Sequence, residues 1–127
     1  MLLTAMDIAA WVAQVLAALV FGAHGYTLLF RPDQARKQYP WAVDVPETLK
    51  RFIGTAELLG AVGMIVPAAT RILPWLTPLA ALGLVALMVL AAIFHATRRE
   101  WPNVVFNLVL GALAAFVAYA RYAVPFS

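Results

Sequence analysis

Four apolar runs separated by short polar or proline-bearing links divide this chain. The first, Ile8 to Phe30, contains 23 residues without a charge. At about 1.5 Å per residue this is roughly 34 Å of helix, enough to cross a bilayer with some tilt. Arg31 and Pro32 end it, and a polar connection to Lys50 follows, carrying Pro32, Pro40, Pro46 and the aromatic residues Tyr39 and Trp41. Such aromatics suit the headgroup layer. The second run spans Phe52 to about Ala69 and its helix begins near Lys50. The third runs from Trp75 to Thr97, with Pro78 tolerated in the first turn. The fourth runs from Asn103 to about Arg121. The pattern therefore predicts helices at about 8–30, 50–69, 75–97 and 103–121. Short links make consecutive spans neighbours, so the expected fold is all-α: an antiparallel, up-down-up-down transmembrane four-helix bundle forming one domain over 1–127.

The second run stands apart because it holds an acid, Glu57, within RFIGTAELLGAVGMIVP. A carboxylate at the centre of a bilayer costs about 2.5–3.5 kcal/mol on insertion scales, so Glu57 is expected to face protein. Gly54, Gly60 and Ala61 lie three or four positions away and share its helical stripe, where a second backbone can approach closely. These are the predicted packing residues of that span.

Composition agrees with a membrane setting. Of 127 residues, 65% are hydrophobic and only 12% charged, with a mean hydropathy of +0.88. Soluble domains are about a quarter charged. The net charge of +3 does not indicate nucleic acid, because the nine Lys and Arg residues sit beside the apolar runs as topology signals. Seven of them, Arg31, Arg36, Lys37, Lys50, Arg51, Arg98 and Arg99, fall in or next to links 31–50 and 98–102; only Arg71 and Arg121 lie on the other side. The positive-inside rule then places those two links in the cytoplasm and both termini outside. The chain has no cysteine, which excludes disulfides, dithiol redox cycles and thiolate metal or cluster sites. The first run holds Asp7 ahead of it and no basic residue, and it is too long for a signal-peptide core, so it reads as a retained span.

Depth brings the remaining polar residues together. His24 is seven residues from Arg31 and Glu57 six from Arg51, so both lie about 10 Å inside one edge of the spans. His95 and Asn107 lie about 5 Å from the same edge. All four spans thus contribute to a candidate polar pocket on the cytoplasmic side, with Glu57, His24, His95 and Asn107 as ligand-binding or proton-relay residues. Asn107 shares a small-residue stripe with Gly111 and Ala114, and His95 with Ala91 and Ala92. The face presented by His24 is not defined by its neighbours, and Tyr26 and Thr27 are close enough in sequence to join it. The same residues have a purely structural reading: a buried Glu and His can pair and hold helices in register. Arg98, Arg99 and Glu100 read as a topology anchor, and Trp11, Trp75, Trp101, Tyr119 and Tyr122 as an interfacial belt. Asp7 and Arg121 fall at one end and are able to pair. No Walker loop, dinucleotide fingerprint, zinc spacing or nucleophile elbow occurs, and two histidines at unequal depth are poor haem ligands. No metal site and no intrinsic cofactor are expected.

The run around Glu57, the stretch LTPLAALGLVALMVLAAIFHATRRE and the aromatic and arginine closing the fourth span resemble the DoxX-like membrane proteins. PWAVDVPETLKRFIG in the first link resembles the smaller DoxX-like subgroup. The resemblance implies four transmembrane helices in a bacterial cytoplasmic membrane and an association with quinone-linked oxidation or redox stress, most members having no assigned reaction. Glu57 with Gly54 and Gly60, and His95 with Arg98, Arg99 and Glu100, match the family's motifs. Where many relatives carry a lysine near the end of the first span, this chain has GAHGYTLLF, with His24 in its place.

Three functions follow as alternatives. One is a membrane subunit that holds a quinone-like lipophilic ligand and serves a redox partner protein; without a catalytic motif of its own it would be at most part of an oxidoreductase system. Another is a small transporter or lipid-handling protein, in which Glu57 recognises cargo and a homo-oligomer completes the path. The third is a structural membrane subunit with no ligand.

Overall fold

The computed structural model describes residues 4–123 and contains five α-helices joined by short links, with no strand among the described residues. They are α1 (Ala5–Phe30), α2 (Pro32–Gln38), α3 (Glu47–Thr70), α4 (Leu76–Thr97) and α5 (Trp101–Ala123). Helices α1, α3, α4 and α5 are each long and apolar enough to cross a membrane. Their starts differ from the expected ones by one to three residues, for local reasons. Thr4 and Asp7 form a reciprocal capping box, so α1 begins before Asp7 instead of after it. Pro46 precedes the first turn of α3, and Pro102 sits in the first turn of α5, where a missing N–H costs nothing. The 31–50 connection, expected as a polar link, holds α2 and a short 3-10 turn, Pro40–Asp44.

Contacts between spans run in opposite chain directions. Gly25, Gly22 and Gln14 of α1 meet Gly54, Ala61 and Met64 of α3. Gly63 and Gly60 of α3 meet Thr77 and Leu84 of α4. Met88 of α4 meets Gly111 of α5, and Arg121 of α5 returns to Asp7 of α1. The spans thus form an antiparallel ring in the order α1, α3, α4, α5. The outward surface is apolar: Leu19, Phe52, Leu59, Leu90 and Val109 are 62% to 67% exposed. In water such a continuous surface would drive aggregation, whereas in lipid it is the solvated face.

Inside, small residues let backbones approach. A methyl group added at Gly25 would lie 2.7 Å from the Gly54 carbonyl oxygen, and one at Gly54 would lie 2.9 Å from that of Gly25. Only glycine fits at both positions of this crossing. Gly60 of the predicted stripe faces Leu84 of α4 instead, while Ala61 abuts Gly22, so the stripe serves two neighbours. Gly111 meets Met88.

Two internal polar arrangements hold the end at which the described chain begins and finishes. Arg121 is buried and donates to Gln14 Oε1 at 2.6 Å and to Asp7 Oδ1 at 3.0 Å, with its guanidinium 5.3 Å from the Trp11 ring centroid. Gln14 in turn donates its amide to the Met64 carbonyl. A buried guanidinium needs such partners to offset its lost hydration. Pro67 within α3 has no N–H for the Gly63 carbonyl, and the Thr77 hydroxyl of α4 fills that place at 2.9 Å. At the opposite end a second core forms from Leu28, Ala35, Trp41, Ala42 and Val45.

Candidate functional site

The glycine crossing of α1 and α3 sets the position of Glu57. One turn beyond Gly54, its carboxylate is 2% exposed and meets His24 Nδ1 at 2.7 Å. The rotation of α1 is defined by Phe21, Gly25 and Leu28, all buried toward its neighbours. That rotation leaves the His24 side chain 27% exposed, at the edge of the helix pair.

The 31–46 segment then folds inward over this pair. Trp41 is buried rather than spread in a headgroup layer as expected, because the 3-10 turn tucks it into the second core. The Tyr39 and Trp41 rings lie stacked with centroids 6.0 Å apart, and Tyr39 lies 4.7 Å from the His24 ring. Burial, with the nearby Glu57 carboxylate as a smaller cause, raises the Tyr39 phenol above its ordinary value. Lys50, expected to mark a membrane edge, is itself buried: its Nζ donates to the Ala42 carbonyl at 2.6 Å and pairs with Glu47 at 2.8 Å. It therefore ties the turn carrying Trp41 to the start of α3.

A second histidine–carboxylate pair stands on the other side of Trp41. His95 is buried, its Nδ1 2.9 Å from Glu100 Oε1, and its ring centroid is 5.8 Å from that of Trp41; the His24 ring is 6.0 Å from Trp41. His95 is therefore no solvated helix end, and Glu100 is more than part of a charged anchor. Arg98 bonds Glu100 at 2.9 Å and Asp44 at 2.7 Å, joining the α4–α5 link to the 3-10 turn. The hydrogen bond from His95 is the largest cause lowering the Glu100 carboxyl below its ordinary value, with Arg98 adding to it and burial opposing. Arg98 is raised by its hydrogen bonds to Asp44 and then Glu100.

Between the two pairs lies a cavity of about 320 Å³ whose walls include His24, Glu57, His95 and Asn107. The four residues singled out by depth thus line one space, although the two acid–histidine pairs are not hydrogen-bonded to each other. Its walls are mostly apolar rather than polar, with Phe52, Phe94 and Phe106 among them and Trp41 and Tyr39 at the roof. Asn107 presents a buried Nδ2 with no hydrogen-bond acceptor among the described residues. Its stripe partner Ala114 is buried, as the small-residue pattern implies, while Tyr26 points outward. Among the described residues no three His, Cys, Asp or Glu side chains converge as a metal site would require.

Sequence reasoning missed Trp41 and Tyr39 as roof residues, the buried Lys50, and the Gln14 and Thr77 hydrogen bonds. Gln14 and Thr77 carried a signal, since an amide or hydroxyl facing helices in lipid seeks a carbonyl. The roof did not, because aromatics next to charges read equally well as an interfacial belt.

A ring of four antiparallel apolar helices, with Glu57 and His95 buried inside it, defines a small multi-pass membrane protein. The sequence model of the DoxX-like family matches residues 12–117, and the chain belongs to that family. No curated protein and no solved structure matches the chain.

Proposed function

We propose that this protein is a bacterial inner-membrane subunit that binds a small quinone-like ring compound in the cavity beside Glu57 and serves a redox partner protein. Links 31–50 and 98–102 lie in the cytoplasm in this reading, supported by seven of nine Lys and Arg residues at that end. A volume of about 320 Å³ with aromatic walls suits one or two fused rings. The observation that carries the reading is the Asn107 Nδ2: a buried amide without an acceptor costs about 1–3 kcal/mol, and a ligand carbonyl in the cavity would remove that cost. In this reading His24 and His95, each held at Nδ1 by a carboxylate, exchange a proton with a ring oxygen. The chain has no electron carrier of its own in this scheme, so electrons come from or go to the partner.

The test is binding of a naphthoquinone to purified protein in lipid nanodiscs, read by tryptophan quenching and by extraction of bound ring. Saturable binding that Asn107→Leu weakens by about tenfold, the scale of one lost hydrogen bond, is the expected result. Non-saturable partitioning, unchanged by Asn107→Leu, overturns it.

A further inference from the structure

The cavity is closed toward the links by Tyr39, Trp41 and Val45, yet open sideways. Phe52 of α3 and Leu90 of α4 belong to its wall and are also 67% and 66% exposed on the apolar outer face. This side would admit a ligand dissolved in lipid. A groove of about 230 Å³ lies on the same α3–α4 seam, lined by Ala56, Leu59 and Gly60 of α3 and by Ala80, Gly83 and Leu84 of α4. Leu87 stands in the walls of both spaces, so groove and cavity adjoin. The groove lies deeper in the membrane than the cavity, since its residues are farther along α3 and α4 from the roofed end. Gly83 is exposed, and an added methyl group there would meet nothing within 4 Å, so the groove is open to the outer face at this point.

We infer that the ligand is an amphiphile with a long hydrocarbon tail, its ring in the cavity and its tail laid past Leu87 into the Ala56–Gly83 groove. This rests on the ring-binding reading above and adds the tail as a determinant of selectivity. A short, water-soluble ring compound would use the cavity alone. An apolar tail gains little by merely leaving lipid for protein, because both are apolar. The groove acts by shape: it receives a slender chain at a place where larger side chains would close the seam, and so aligns the ring with Asn107 and Glu57.

The experiment compares two probes at equal mole fraction in nanodisc lipid: a naphthoquinone with a long isoprenoid tail and the same ring bearing only a methyl group. Gly83→Leu puts a branched side chain on the wall of the groove and removes a glycine from a helix interior; Ala86→Leu, exposed like Gly83 but outside the groove lining, is the control. Gly83→Leu is expected to weaken the tailed probe by about tenfold through steric exclusion of the tail from the groove, and to leave the short probe and the control unchanged. Equal binding of the tailed probe by wild type and Gly83→Leu overturns the tail assignment and leaves the ring site standing. Equal weakening of both probes also overturns it, since the substitution then acts on the cavity. Failure of the wild type to bind either probe overturns the ring site itself.

Discussion

His24 and Glu57 meet at 2.7 Å across the seam between α1 and α3, an imidazole at the edge of the bundle joined to a carboxylate within it. Their contact depends on a backbone crossing one turn away, because Gly25 and Gly54 bring the two helices close enough for these side chains to touch.

Glu57→Ala is expected to remove that partner and leave His24 beside an empty apolar space, lowering stability by about 1–3 kcal/mol. Glu57→Gln keeps a hydrogen bond to the imidazole and should cost less than half as much. Denaturation in mixed micelles, followed by helix content, checks the order; equal losses in the two variants would contradict the pairing.

Gly25→Ala and Gly54→Ala each place a methyl group within 3 Å of the opposing carbonyl. Overpacking of this kind costs about 1–3 kcal/mol. The two together should cost less than the sum, because a single separation of the helices relieves both clashes. Gly22→Ala, whose added methyl would sit 3.7 Å from Ala61, is the control and should be near neutral. Thermal unfolding of the four variants in one detergent tests this.

Thr77 and Pro67 should be coupled through the Gly63 carbonyl. Thr77→Val alone leaves that carbonyl without its donor, a loss of about 1 kcal/mol. With Pro67→Ala in place, the new backbone N–H takes the carbonyl, and Thr77→Val should then be nearly neutral. A double-mutant cycle on unfolding free energies reads the coupling, and additive losses would rule it out.

The Glu100 carboxyl is lowered below its ordinary value, chiefly by His95. A group depressed in the folded state contributes stability above its unfolded pKa and loses it as pH falls through the folded value. The links among His95, Glu100, Arg98 and Asp44 should therefore hold at neutral pH and weaken only as the pH falls through and below the ordinary carboxylate range. As they fail, the turn carrying Trp41 loosens and its fluorescence should shift to the red. Glu100→Gln should show the shifted spectrum already at neutral pH and lose most of the pH dependence in that range.

Much of this architecture is legible along the chain. Four apolar runs separated by Arg, Pro and Trp read as spans, and Glu57, the acid inside the second of them, is expected to face protein, since lipid solvates neither charges nor backbone gaps. The convergence of Glu57, His24, His95 and Asn107 follows from their distances to span ends, a one-dimensional quantity. The pairing of Asp7 with Arg121 follows in the same way. The face of His24 was not legible, because Phe21, Leu28 and Gly25 define a stripe only once Gly54 is known to be opposite. Nor was the inward turn of Trp41, whose neighbours in sequence are polar but whose neighbours in space are Leu28, Ala35 and Val45.

Sequence alone determined the number of spans, their order and the depth of each polar group, because hydrophobic length and helical rise are local properties of the chain. Tertiary structure decided which acid meets which histidine, that the 31–46 link covers the cavity, and that the cavity walls are largely apolar. Those outcomes depend on helix rotation and on close contacts between residues far apart in sequence, which only packing in three dimensions selects.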